Sequence, residues 1–74
     1  MMERFRGGFV NMDVRQVLEL AIQAEAQARD RYLELAKQAE DGETRLLLEQ
    51  IAREEDSHLK RLTERLKAIK LLNA

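Results

Sequence analysis

DVRQVLELAIQAEAQARDRYLELAKQAEDG, residues 13–42, is the stretch that decides the fold. Within it Val14, Leu18, Ala21, Glu25, Ala28, Tyr32, Leu35 and Ala39 recur at alternating steps of four and three, the spacing of a helical seam buried against other helices. Asp13 stands before the run as an N-cap, its carboxylate placed to accept from the free N–H groups of the first turn. No proline interrupts the run, so the helix is expected to continue to about Glu40. Asp41-Gly42 then breaks it, because glycine enters the left-handed conformation that ends helices at little steric cost. Glu43 or Thr44 opens a second helix that reaches roughly Leu72. The expected architecture is all-α, a two-helix antiparallel hairpin over residues 13–74. It is preceded by a flexible arm, MMERFRGGFVNM, at residues 1–12, which carries Gly7-Gly8 and no helical period.

Two stretches of polar chemistry sit where apolar residues belong. Glu25 lies in the middle of the first seam, and at ~100° per residue its direction departs by only about 20° from the mean of its apolar neighbours. The second helix presents Leu48, Ile51, Glu55, His58, Leu62, Ile69 and Leu72, joined by Leu59 and Leu66. Glu55 lies about 20° from that stripe's axis, His58 about 40° and Glu54 about 80°, so Glu55 is the glutamate expected to point inward. Folding the hairpin at its connection sets Glu25 level with His58 and Ala28 level with Glu55. The three ionisable residues therefore meet, with small Ala21 and Ala28 beside them leaving space for a polar pocket. Unpaired carboxylates crowded into an apolar layer are costly unless they are protonated or share a cation, and a divalent metal removes the conflict. One hairpin offers too few ligands to enclose a metal, whereas two offer a Glu from each of two helices and a Glu-x-x-His from each of the other two, the arrangement of carboxylate-bridged di-iron and di-manganese bundles.

Composition narrows the alternatives. The 74 residues contain no Cys, which excludes disulfides, zinc knuckles, iron–sulfur clusters and a thiol nucleophile, and leaves oxygen and imidazole as metal ligands. A cytoplasmic location is expected. Thirteen Lys and Arg against fourteen Asp and Glu give a net charge of −1, with neither the basic field of a nucleic-acid binder nor an acidic tail. No apolar run suggests a signal peptide or membrane anchor. A chain this short buries only about 60% of its extended surface, so self-association into at least a homodimer is expected.

The stretches AEAQARDRYLELA and IAREEDSHLKRL resemble those of rubrerythrins and ferritin-like proteins, over roughly residues 18–66. In the first, Glu25, Ala28-Arg29 and Tyr32 are similar to the rubrerythrin pattern of a ligand glutamate followed by Ala-Arg and then Tyr. In the second, Glu55 and His58 match the Glu-x-x-His ligand pair. Full-length relatives carry the unit twice; a single unit with 30 residues between the glutamates looks most like the encapsulated ferritins, whose hairpins pair into a four-helix bundle and oxidise ferrous iron at the dimer interface. The resemblance implies a dinuclear non-haem iron site, two ions per dimer with manganese as the alternative ion. It implies metal-ligating and catalytic roles for Glu25, Glu55 and His58, with Glu55 bridging, and Tyr32 behind them, its hydroxyl within reach of a ligand. It also raises an encapsulin shell as a partner and compartment. Acidic residues that flank the first ligand in encapsulated ferritins are replaced here by Ala24 and Gln27, and nothing after Leu72 resembles a shell-targeting tail. Missing cysteines also remove the rubredoxin-type centre of a rubrerythrin peroxidase. The competing expectations are a structural hairpin whose polar layer only specifies pairing, and a metal-binding module without turnover.

Overall fold

The computed structural model describes residues 12–72. Two antiparallel helices, α1 (Val14–Gln38) and α2 (Gly42–Leu72), pack along their length and account for the fold. The arm expected over residues 1–12 lies outside the described residues except for Met12.

Asp13 starts α1 as expected. Its Oδ1 accepts from the Gln16 backbone N–H at 2.9 Å and its own N–H donates to Gln16 Oε1 at 3.1 Å, a reciprocal capping box that satisfies two otherwise free donors. The end of α1 comes earlier than expected, at Gln38, where Ala39 turns to an extended conformation while its N–H still donates to the Leu35 and Ala36 carbonyls.

The connection corrects the sequence expectation for Gly42. No described glycine has a positive φ, and Gly42 is the first residue of α2 rather than a left-handed terminator of α1. Asp41 serves the second helix instead. Its Oδ2 accepts from the Thr44 N–H at 2.9 Å, and its carbonyl accepts from the Arg45 N–H at 3.2 Å, so the aspartate caps α2 and starts it one residue before Glu43. The Arg45 guanidinium donates back to the Ala39 carbonyl at 3.2 Å, tying the two ends of the connection together.

The core is thin. Among the described residues only Ala36, Ala52, Leu66 and Ile69 are buried. Leu35, placed in the seam by spacing, is exposed, and Ala36 has taken its place. A straight helix drifts about 20° per heptad against a seam read at 3.5 residues per turn, and about three turns beyond Glu25 that drift hands the inward position to the next residue. Val14 and Leu72 are exposed at the open end, where α2, at 31 residues against 25, outruns its partner. No helix among the described residues is long and apolar enough to cross a membrane.

A methyl group added at Gly42 meets nothing within 4 Å. Gly42→Ala should therefore raise stability by about 0.4–1 kcal/mol through the lost freedom of the unfolded chain. Urea unfolding of the two proteins checks this; a destabilised variant would mean that the glycine is needed for its backbone after all.

Candidate metal centre

Glu25 comes from the middle of α1, and Glu55 and His58 lie one turn apart on α2. The hairpin brings one side-chain atom of each within 4.8 Å of the others. His58 Nδ1 lies 3.7 Å from Glu25 Oε1 and 3.5 Å from Glu55 Oε1, close enough for attraction when the imidazole is protonated but at or beyond the range of a well-formed hydrogen bond. Glu54, by contrast, is exposed, so the choice between the adjacent glutamates follows the helical phase.

The enclosure differs from expectation. The side chains of Glu55, Glu25 and His58 are 22%, 30% and 49% exposed, a gradient running from the helix interface out to an open flank. Ala21 and Ala28, expected in a buried seam, are half-buried, and one hairpin provides only two walls, so the trio lies at an edge rather than in a closed pocket. Two shallow grooves lie elsewhere, one along Met12, Gln16, Leu20 and Gln23, the other among Arg29, Leu33, Ala52, Arg53 and Asp56. Tyr32 is half-buried, and among the described residues its hydroxyl makes no hydrogen bond.

Glu25 Oε1 is buried and has no hydrogen-bond partner. Glu55 is held above the usual carboxylate range. The leading cause is the facing Glu25 carboxyl, with which the protonated form can share a hydrogen bond; burial and the Glu25 charge push the same way, and His58 pulls in the opposite direction. The hairpin thus holds two carboxyls facing each other at close range. A divalent cation would satisfy the orphaned oxygen and both charges at once, and oxygen plus imidazole donors suit iron or manganese. The residues present fit such an ion.

Residues 16–73 match the family model described as Rubrerythrin, 58 of the 74 residues and the whole of the ligand-bearing region. The chain belongs to the rubrerythrin family. Rubrerythrins bind iron, and the trio of this member is a group able to hold a metal ion. No curated protein and no solved structure matches the chain.

The sequence did not single out Asp56. Its Oδ1 accepts from Arg29 Nη1 at 3.1 Å, across the hairpin and beside the trio. Both residues adjoin expected ligands, Asp56 following Glu55 and Arg29 one turn beyond Glu25, and their opposite charges at neighbouring levels were the available signal.

The upward shift at Glu55 fixes the sign of a pH effect. A carboxyl with higher proton affinity in the folded state contributes stability that is present below its unfolded pKa and lost as pH rises through the folded value. In metal-free protein, Glu55→Gln should therefore gain stability relative to wild type as pH is raised from the acid range to neutrality. Thermal unfolding across that range with a chelator present measures it; a difference that does not vary with pH would remove the crowded-carboxyl description.

Proposed function

We propose that two copies of this hairpin associate antiparallel into a four-helix bundle, in the half-bundle manner of encapsulated ferritins, and that the bundle oxidises ferrous iron at a dinuclear site built from Glu25, Glu55 and His58 of both copies. The observation that carries the proposal is the buried, unpartnered Glu25 Oε1 beside a second carboxyl and an imidazole at the hairpin's open edge.

The flank on which His58 stands supports pairing. At ~100° per residue, Val17 and Leu35 on α1 and Leu47 on α2 lie about 80° from Glu25 and Glu55 on the side toward His58, and all three are exposed in a single chain. An apolar flank bordering an incomplete site fits a second copy better than water, since association would cover the flank and complete the ligand set together. Four carboxylates from two copies balance the charge of two divalent ions. Iron bound there supplies one-electron chemistry toward dioxygen or peroxide. The chain's own residues supply the holding charges and imidazoles, exclude water from the seam through the apolar flank, and keep Tyr32 on the Glu25 face, about 20° from it, as a neighbour of the site. Manganese has overlapping ligand preferences and is the second ion to test.

The test compares thermal unfolding of wild type and Glu25→Leu, anaerobically, with and without ferrous iron, followed by oxygen uptake. Wild type should gain about 2.7 kcal/mol when free metal reaches a hundred times its dissociation constant. Glu25→Leu should lose both the gain and the oxygen uptake, while its metal-free form is at least as stable as wild type because a crowded charge has gone. A wild type indifferent to iron in both assays leaves a structural pairing layer in its place.

Assembly is checked separately. Sedimentation at micromolar concentration should find dimer or larger species and little folded monomer; a compact, fully helical monomer would contradict the shared site.

A further inference from the structure

The Arg29–Asp56 contact is the one side-chain hydrogen bond that joins α1 to α2 among the described residues. It is part of a four-charge arrangement. Arg29 Nε also donates to Asp30 Oδ1 at 3.1 Å on its own helix, and Lys60 Nζ lies 3.8 Å from Asp56 Oδ2. Asp30 therefore turns the planar guanidinium so that Nη1 projects toward α2, while Lys60 steadies the receiving carboxylate. Guanidinium–carboxylate bonds are directional in a way that apolar contact is not.

That directionality lies at a level where side chains are at most half-buried. Between residues 21 and 32 of α1 and between 53 and 65 of α2, no residue is fully buried. Ala36 and Ala52 anchor the hairpin toward its connection, and Leu66 and Ile69 anchor it toward its open end. Between those anchors lie Glu25, Glu55 and His58. A slip of one residue along either helix moves a side chain about 1.5 Å along the axis and turns it ~100° around it, enough to take Glu25 out of the trio.

We propose that Arg29 and Asp56 form a register clamp, a pair of positioning residues that hold Glu25 of α1 opposite Glu55 and His58 of α2. The proposal rests on the metal-binding role given to that trio above. Half-exposed ion pairs contribute little to overall stability, so the pair's effect is expected in the geometry of the trio rather than in the melting temperature.

The sign of one substitution separates positioning from plain electrostatics. Arg29→Gln removes a positive charge near a cation site, which on charge alone would tighten metal binding; loss of the clamp weakens it instead. Cobaltous ion, titrated by its absorbance into the full chain, is the probe. Arg29→Gln and Asp56→Asn should each weaken binding by about tenfold, the lower end of the effect of supporting residues on metal sites. The double variant should bind no more weakly than the worse single, and Arg53→Gln, which removes a charge from the same groove without touching the pair, should not weaken binding. Helical content by circular dichroism should be unchanged throughout. Tighter or unchanged binding by Arg29→Gln, or additive losses in the double variant, overturns the clamp.

A second measurement needs no metal. In the metal-free protein, nuclear Overhauser contacts between the His58 ring and the Glu25 side chain should be present in wild type and fade in both single variants, while contacts around Leu66 and Ile69 persist. His58–Glu25 contacts that survive both substitutions overturn the clamp whether or not cobalt binds. Failure of wild type to bind cobalt while those contacts fade as expected would count against the metal site alone.

Discussion

Two carboxyls and an imidazole share one level of a two-helix interface, and one carboxylate oxygen there is buried without a partner. An apolar seam tolerates that only with a proton or a cation between the charges, and the facing Glu25 carboxyl accordingly raises the proton affinity of Glu55. The rest of the hairpin keeps this level intact. Caps at Asp13 and Asp41 start the helices, the Arg45 tie to the Ala39 carbonyl closes the connection, and buried Ala36 and Ala52 pack toward it.

Much of this was legible in the sequence because helical phase is a strong geometric signal. The phase of Glu25 and the preference for Glu55 over Glu54 both come from 3.6 residues per turn, and Asp13 from cap chemistry. Phase could not settle the connection, where Asp41 and Gly42 both suit a helix boundary and only the backbone shows that the aspartate caps the second helix while the glycine joins it. Nor could it settle Leu35 against Ala36, neighbours whose roles depend on a few tens of degrees of accumulated drift. Asp56 escaped notice, and Arg29 was read only as part of a motif, for another reason: charged residues at the edge of a seam look solvated until a partner on the other helix is in view.

Family membership and the local geometry point the same way from independent directions. The rubrerythrin match spans the ligand-bearing part of the chain, while the unpartnered oxygen of Glu25 would draw attention in a sequence with no relatives at all. In the described residues one pair of helices carries the trio, with four buried residues and apolar side chains left facing outward.

The antiparallel course of the two helices has one more consequence. The start of α1 and the end of α2 lie at the same end of the hairpin, opposite the connection. If two such hairpins pack antiparallel, the termini of one stand beside the connection of the other. Fusing both units into one polypeptide would then require a linker running the length of the bundle, some 45 Å for a helix of this size. Ferritin-like bundles have such a long crossover, whereas two hairpins on separate chains would need none.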